Sequence, residues 1–274
     1  MEDQVQVLKT KGIKAEHLGS NRRKEWPNIL KKIEEGVTNV LYLSPEWYGK
    51  IQDTFKRIVQ KRKVSLFGID EAHTISTWGC TFRPDFLLLN KLMQEFSHIP
   101  IVAATATATA AVQEKIQETL QKKDPTVTKV SINRSNIFIR REERTVSNLE
   151  HVMATIPNNC QLATIVYLQT IREVEELHEA LAEKNIRSLK YHAKMQNKDK
   201  IKSHQEFLQN KSSLLVATIA YGMGIDKKDI RRIIHLGAPG SISNYVQEIG
   251  RAGRDGHQSI VTLFYSNNDF NIHR

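Results

Sequence analysis

Short apolar runs alternate with amphipathic stretches along the whole chain. Three runs in its first part do not alternate polar and apolar positions, which predicts strands buried on both faces. These runs are 39–46, 64–70 and 99–107. Residues 51–59 and 110–120 have helical spacing, and in the second stretch Val112, Ile116 and Leu120 recur at every fourth position. The first part of the chain therefore predicts strands and helices in alternation.

The alternation restarts after a polar, charged stretch at 140–150. Residues 171–181 have helical spacing, and five apolar runs predict further strands. These runs are 161–168, 188–192, 212–218, 231–237 and 259–265. Alternating strands and helices imply parallel sheets with right-handed crossovers. We therefore predict an α/β fold of two lobes with a cleft between them, with domains at 1–142 and 147–274.

Composition and charge narrow the classes of protein. Of the 274 residues, 40% are hydrophobic and 26% are charged, which is typical of a globular protein. No apolar run approaches the roughly 20 residues of a membrane-spanning helix, and the first 20 residues lack the apolar segment of a signal peptide. Neither a membrane partner nor secretion is expected. The net charge of +10 favours a polyanionic partner such as nucleic acid, with chance basicity as the alternative.

The two cysteines, Cys80 and Cys160, lie far apart in sequence, and no histidine stands at a matching spacing. A zinc site of the usual four-ligand kind is therefore not expected. A reducing compartment is the default prediction.

Two adjacent carboxylates, Asp70 and Glu71, end the apolar run at 64–70. Ligands of parallel sheets bind at the carboxyl ends of strands. A carboxylate there can hold a hydrated Mg²⁺ that accompanies a nucleotide triphosphate, and its neighbour can polarise the attacking water. The alternative is a solvated helix N-cap, which the position at the end of a buried run makes less favourable.

The sequence "DEAH" at 70–73, followed by "TISTWGCTFRPDF" at 74–86, resembles motif II and the aromatic-rich loop of the RecQ family of superfamily 2 helicases. Other segments resemble further motifs of that family in the expected order. They are "MEDQV" (1–5), "VLYLSPE" (40–46), "ATATA" (104–108), "TIVYL" (164–168), "YHAKM" (191–195), "VATIAYGMGIDK" (216–227) and "YVQEIGRAGRDG" (245–256). The segments "MEDQV" and "ATIAYGMGI" are similar to the corresponding motifs of the Werner-type branch of the family.

This resemblance implies two RecA-like lobes that use ATP and Mg²⁺ to move 3′ to 5′ along DNA and unwind it. It implies that Asp70 holds Mg²⁺ through water, that Glu71 is catalytic, and that Arg254 acts as an arginine finger. It places Gln247 in the catalytic group as well. The remaining nucleotide contacts that it implies are His73, Gly224, Asp226 and Arg251. Two isolated surface arginines are the alternative for Arg251 and Arg254, but the surrounding "QEIGRAGRDG" disfavours it.

The loop after "DEAH" carries Trp78, Phe82 and Arg83 among small and polar residues. Bases stack on aromatic faces, and arginine adds phosphate contacts; the alternative, core packing, explains Trp78 and Phe82 poorly. The resemblance implies that this loop senses single-stranded DNA. Hydroxyls of Thr105 and Thr107 can bridge the acidic pair to the second lobe, and a plain polar strand end is an equal alternative.

The resemblance also implies binding partners and a cellular location, and one rival function has to be considered. Single-stranded DNA and single-strand/duplex junctions are the expected partners, in DNA repair and recombination. The expected location is the nucleus in a eukaryote and the cytoplasm otherwise. A DEAH-type RNA helicase is a rival that the tryptophan loop disfavours. Cys80 and Thr81 replace the family's His and Asp, which puts the coupling of ATP to DNA in question.

The family's phosphate loop, GxxxxGK[ST], does not occur in these 274 residues, because the only "GK" is Gly49–Lys50, followed by Ile51. We expect the chain to be a helicase core whose first lobe lacks its phosphate-loop part and exposes apolar edges. We expect no useful ATP hydrolysis by this chain alone. The alternative is a non-catalytic DNA-binding or regulatory module.

Overall fold

A computed structural model describes residues 1–74, 91, 94–106, 108–120, 124–144, 148–156, 161–222, 227–266 and 269. The chain forms two compact units, Met1–Thr128 and Lys129–Arg274. Among the helices within these ranges, none is long and apolar enough to cross a membrane.

The first unit alternates helices and short strands. Its helices are α1 (Glu2–Thr10), α2 (Trp26–Glu34), α3 (Pro45–Lys61) and α4 (Ala110–Leu120), with a 3₁₀ helix at Ser20–Glu25 before α2. Its strands are β1 (Ala15–Leu18), β2 (Val40–Leu43), β3 (Phe67–Ile69) and β4 (Ile101–Ala103). The helix predicted at 110–120 is confirmed with the same limits.

The described strands of this unit form two separate parallel pairs, β1 with β2 and β3 with β4. β1 is buried, whereas β2, β3 and β4 are largely intermediate or exposed, and Val102 of β4 is 54% exposed. The prediction that the runs at 39–46, 64–70 and 99–107 are buried on both faces is therefore wrong. The physical reason is that each of these strands has one hydrogen-bonded neighbour among the described residues, so the pairs lack the cover of a wide sheet.

The second unit contains one wide sheet. Its strands are β5 (Ile137–Glu143), β6 (Thr164–Leu168), β7 (Leu189–Tyr191), β8 (Leu214–Ala217), β9 (Arg232–Leu236) and β10 (Ser259–Tyr265). Its helices are α5 (Asn148–Thr155), α6 (Ile171–Glu183), α7 (Asn197–Leu208) and α8 (Ile242–Ile249). The strands lie in the order β5-β10-β9-β6-β8-β7 and every pair is parallel.

Alternate residues of the central strands serve two separate cores, because side chains of a strand point to opposite faces. On β6, Val166 and Leu168 join one buried cluster, whereas Ile165 and Tyr167 join the other. Burial on both faces explains why this strand has a continuous apolar sequence. The predicted α/β fold with parallel sheets is confirmed.

Helices α6 and α8 begin at side-chain caps that fix where they leave the sheet. The Thr170 side chain accepts a hydrogen bond from the backbone of Glu173, whose carboxylate accepts from the backbone of Thr170 in return, which is a capping box. The Ser241 hydroxyl accepts from the backbone N–H of Asn244 at 3.1 Å. The second cap sets the start of the helix that leads into "GRAGRDG".

Residues 137–142 of strand β5 fall in the predicted first domain, 1–142, but the strand belongs to the sheet of the second unit. It pairs along its length with β10, from Ile137 beside Ser259 to Glu143 beside Tyr265. The charged residues of 140–143 suggested a connecting segment because this edge strand is largely exposed and tolerates charge.

Candidate functional site

The acidic pair lies where β3 and β4 end side by side. The backbone N–H of Ala104 donates to the carbonyl of Ile69 at 2.8 Å, and that of Ala72 donates to the carbonyl of Ala104 at 2.9 Å. These bonds continue the pairing of the two strands past their ends. Asp70 is exposed, and its carboxylate accepts from the backbone N–H of Glu71 at 2.9 Å. The predicted carboxyl-end position of both carboxylates is therefore present in the first unit.

The backbone of Glu71 adopts the left-handed conformation, with φ of +50°. The other described non-glycine residues with positive φ are Asp124, Asn185 and Asn210, whose short polar side chains tolerate this region. Glutamate does not share that tolerance, and such strain concentrates at functional sites. The buried Oε2 atom of Glu71 makes no hydrogen bond within the described residues and lies 3.4 Å from Nδ1 of His73.

A hydrogen bond links the acidic segment to the segment after β4. Nδ1 of His73 lies 2.9 Å from the hydroxyl oxygen of Thr105. The structure thus brings together Glu71, His73 and Thr105, which sequence reasoning placed in two different motifs. Thr107, Trp78, Phe82 and Arg83 lie outside the described residues.

The exposed carboxylate of Asp70 fits a magnesium ion that keeps most of its water, because Mg²⁺ is commonly held by one or two carboxylates plus water and phosphate. Within the described ranges, no three His, Cys, Asp or Glu side chains gather as metal ligands. Asp70 would hold such an ion through water, and the ion would supply charge neutralisation to a bound nucleotide.

The predicted arginines lie on a turn that follows α8 in the second unit. Residues 250–256 form this turn, which we call the arginine turn. Arg254 is exposed, Gln247 on α8 is half-buried, and Arg251 is only 7% exposed. The two arginines therefore have different surroundings, and the nucleotide contacts of both stay predictions. Gly224 and Asp226 lie outside the described residues.

Arg251 is buried beside the Tyr167 hydroxyl. Burial raises the pKa of Tyr167, and the neighbouring Arg251 guanidinium opposes that rise. The Tyr167 hydroxyl donates to the carbonyl of Tyr221 at 3.0 Å. A Cβ atom at Gly222 would lie 2.8 Å from the carbonyl oxygen of Ile219, so the local turn requires glycine there.

A buried pair, His235 on β9 and Glu248 at the end of α8, lies next to the arginine turn. Nε2 of His235 lies 2.8 Å from the carboxylate of Glu248, and the two residues are 2% and 5% exposed. The His235 ring stacks on Tyr167 with centroids 5.2 Å apart, and Tyr245 meets it edge-on at 5.1 Å. The His235–Glu248 pair therefore joins β9 to α8 inside the second unit.

Arg134 and Asn136 hold the arginine turn from the side, and sequence reasoning missed both. Arg134 donates to the carbonyls of Ala252 and Gly253 at 3.4 and 2.6 Å. The Asn136 side-chain amide donates to the carbonyls of Gly253 and His257, each at 2.9 Å. Gly253 has φ of +53°, and a Cβ there would lie 2.5 Å from Asn136 Nδ2. The backbone at Gly253 therefore approaches Asn136 too closely for a side chain.

Two family models match the chain. The model of the DEAD/DEAH box helicase matches residues 1–116, and that of the helicase conserved C-terminal domain matches residues 147–256. The Mus musculus "Bifunctional 3'-5' exonuclease/ATP-dependent helicase WRN" is 35% identical over 280 residues, covering 100% of this chain and 20% of that protein. "ATP-dependent DNA helicase RecQ" of Pasteurella multocida is 36% identical, covering 98% of this chain and 42% of that protein. The chain belongs to the RecQ family of superfamily 2 helicases.

A third relative of this RecQ-family chain is the "Putative ATP-dependent RNA helicase R290" of Acanthamoeba polyphaga mimivirus, 35% identical over 274 residues, covering 100% of this chain and 50% of that protein. The chain thus spans between 20% and 50% of the length of these three relatives.

Solved structures share the fold. S. cerevisiae Dbp5 bound to RNA and ADP BeF3 matches with a TM-score of 0.66 at 18% identity, covering 86% of this chain and 61% of that one. Mss116p bound to ssRNA and AMP-PNP matches with a TM-score of 0.67 at 20% identity, covering 93% and 53%. At such identities the likeness shows the fold alone, which agrees with the parallel sheets of the RecQ-family core.

Proposed function

We propose that these residues form the motor core of an ATP-dependent DNA helicase that moves 3′ to 5′ along single-stranded DNA and unwinds duplexes at single-strand junctions. The observation that carries the proposal is the strained Glu71, which shares one strand end with Asp70 and a hydrogen-bonded His73–Thr105 pair. A carboxylate at this edge is placed to orient water, and backbone strain of this kind concentrates at functional sites.

Each residue of this site has a defined part in the proposal. Bound Mg²⁺–ATP supplies the phosphoanhydride whose hydrolysis provides the energy. Asp70 holds a metal-bound water and Glu71 orients the attacking water. Arg254, on the second unit, is the proposed arginine finger. Thr105 lies at the His73 side chain, so the bond between them can transmit a change at the acidic pair to the segment after β4.

DNA is the proposed track, and two observations support it. The net charge is +10, and the tryptophan loop offers Trp78 and Phe82 as stacking groups. The Pasteurella relative is named a DNA helicase, whereas the mimivirus relative is named a putative RNA helicase. A comparison of DNA and RNA as activators is therefore part of the test. Roles in DNA repair and recombination, and a nuclear location in a eukaryote, belong to the same proposal.

A second candidate is a DNA-binding or regulatory module without ATPase activity. The observation that favours it is that no GxxxxGK[ST] sequence occurs in the 274 residues. The two candidates agree on DNA binding and differ on ATP hydrolysis.

The deciding experiment measures DNA- and RNA-stimulated ATP hydrolysis by the chain and by the chain fused at its N-terminus to the phosphate-loop segment of a RecQ relative. We expect DNA to stimulate hydrolysis by the fusion. In the fusion, Glu71→Gln should keep ATP binding and lower turnover by about 10²–10⁴-fold, and Arg254→Ala should lower it by about 10³-fold or more.

Two exposed residues serve as matched controls, Glu35→Gln on the surface after α2 and Arg172→Ala on α6, and neither should change turnover. A fusion that binds DNA and ATP but shows no stimulated hydrolysis would favour the regulatory module. Glu71→Gln with ordinary turnover would remove the catalytic role of that residue. RNA as the better activator would overturn the choice of DNA.

A further inference from the structure

A shallow groove in the first unit lies between α2 and α3, is open to solvent and has a volume of about 530 Å³. Trp26, Leu30 and Ile51 form its apolar floor. Its rim carries four exposed cationic side chains: Arg23, Lys31, Lys50 and Arg57. The groove lies outside every motif assigned to nucleotide or DNA.

The spacing of residues along α3 explains why its polar side chains line one side of the groove. Lys50, Thr54 and Arg57 recur at intervals of four and three residues along α3, which places them on one face of that helix. The helix is kinked at Ile51, whose φ and ψ are −124° and 17°. Ile51 and Trp26 belong to a buried cluster of this unit, so the floor of the groove is anchored in a core.

The rim is cationic overall. Glu34 is the one carboxylate among the lining residues, and it already pairs with Lys61 at 2.7 Å and lies 3.6 Å from Arg57. Lys31 lies 3.8 Å from Glu35, which is outside the groove lining, so the lining itself carries four cationic side chains and one carboxylate. Charge complementarity therefore selects an acidic occupant.

The floor distinguishes an acidic peptide from nucleic acid. Base recognition without sequence preference uses open aromatic faces. Trp26 is only 7% exposed, packs edge-on against Trp47 at 4.9 Å, and donates its indole N–H to the carbonyl of Gly19. The amine of Lys50 lies 4.4 Å from the centroid of the Trp47 ring. The accessible floor is therefore aliphatic in character, which suits apolar side chains better than bases.

We propose that this groove binds an acidic amphipathic helix of a partner protein. Carboxylates of that helix would meet the cationic rim, and its leucine-like side chains would contact the half-buried Leu30, the arrangement of helix-in-groove recognition. The nine residues of α2 extend over about 13 Å, which matches a partner helix of two to three turns. The proposal is independent of ATP hydrolysis.

The test uses a fluorescent peptide of about 12 residues with the repeat Glu-Glu-Leu-Leu, whose spacing gives one acidic and one apolar face when the peptide is helical. A Glu-Glu-Ser-Ser repeat keeps the charge and removes the apolar face, and a Lys-Lys-Leu-Leu repeat reverses the charge. Binding to the 274-residue chain is measured by fluorescence anisotropy, with oligothymidine as a competitor. We expect only the Glu-Glu-Leu-Leu peptide to bind, and oligothymidine not to displace it.

The groove variant combines Arg23→Gln, Lys31→Gln, Lys50→Gln and Arg57→Gln. Its matched control removes the same charge from the second unit through Lys184→Gln, Lys198→Gln, Lys202→Gln and Lys211→Gln, all exposed. The groove variant should raise the dissociation constant of the peptide about tenfold or more, and the control should not. All eight side chains are exposed, so circular dichroism should show both variants folded.

Four outcomes would overturn the proposal. The first is no binding of the Glu-Glu-Leu-Leu peptide. The second is equal binding of the serine peptide, because the floor would then not be used. The third is an equal loss of peptide affinity in the groove variant and the control variant, which would show that net charge alone attracts the peptide. The fourth is displacement of the peptide by oligothymidine together with loss of oligothymidine binding in the groove variant, which would assign the groove to nucleic acid.

Discussion

The side-chain nitrogen of Asn136 lies 2.9 Å from the carbonyl oxygen of Gly253, a residue 117 positions later in the chain. The same carbonyl accepts from Arg134 at 2.6 Å. The segment that precedes β5 therefore fixes the backbone immediately before Arg254. The exposed arginine projects from a support that is distant in sequence and close in space.

Gly253→Ala should lower the free energy of unfolding of the second unit by about 2–4 kcal/mol, because a Cβ would clash with Asn136 and would be held at positive φ. Gly256→Ala is the matched control: Gly256 has φ of +86° and nothing within 4 Å of a Cβ, so it should lose only about 1 kcal/mol. Urea unfolding measures both. Equal losses would contradict the close approach at Gly253.

Two probes separate the unfolding of the two units. All three tryptophans, at positions 26, 47 and 78, lie in the first unit. Tryptophan fluorescence therefore reports that unit, whereas far-ultraviolet circular dichroism reports both. A loss of stability in the second unit should shift the dichroism transition and leave the fluorescence transition in place.

Glu248→Ala should lower the free energy of unfolding of the second unit by about 1.5–3 kcal/mol, because His235 would lose its buried partner. Glu248→Gln keeps an acceptor for the same ring nitrogen and should lose less. The comparison is made by urea unfolding near neutral pH. An alanine variant as stable as the wild type would show that the His235–Glu248 contact does not contribute.

Stability should depend on pH through Asp255. A hydrogen bond from Arg231 lowers the pKa of Asp255 from 3.8 to about 2. Because the folded state lowers the pKa, the stabilisation is present above the unfolded value and is lost as pH falls through the folded value. Asp255→Asn should therefore melt at a lower temperature than the wild type near neutral pH.

The difference between the melting temperatures of wild type and Asp255→Asn should close between about pH 4 and pH 2. Asp53→Asn, at an exposed carboxylate of the first unit, serves as the control. A difference between wild type and Asp255→Asn that stays constant as pH falls would argue against the Arg231–Asp255 pair.

Single-stranded DNA binding should weaken steeply with salt, with a log–log slope of about −0.7 per neutralised phosphate. Trp78→Ala should weaken binding by about 1–3 kcal/mol if a base stacks on this ring. Fluorescence anisotropy with oligothymidine measures both effects. Salt-independent binding, or normal binding by the variant, would be inconsistent with the stacking role.

The sequence allowed most of the second unit to be predicted, because apolar runs without alternation are typical of strands buried on both faces. The strand at 259–265 has its predicted limits. β1 was missed because it buries Glu16 and His17, which look like surface residues until Arg22 pairs with Glu16 at 3.0 Å. A four-residue strand with two ionisable side chains gives no periodic signal.

The candidate site, like the fold, could be predicted only in part from the sequence. Asp70 and Glu71 could be located from the apolar run that they end, since the carboxyl edge of a parallel sheet is where ligands bind. The roles of Arg134 and Asn136 could not be predicted, because both side chains donate to backbone carbonyls. Every residue has a backbone carbonyl, so the sequence does not indicate which carbonyl a given side chain will bond.

The position of β10 has a consequence for synthesis on the ribosome. β10 lies between β5 and β9, and Ile137 of β5 pairs with Ser259. The first strand of the second unit therefore leaves the ribosome long before its partner, and at about 5–20 residues per second it waits for several seconds. During that time its row of unpaired backbone groups is open to other chains. The long separation of β5 and β10 in sequence therefore makes the edge of β5 a point of exposure while residues 144–258 are still being made.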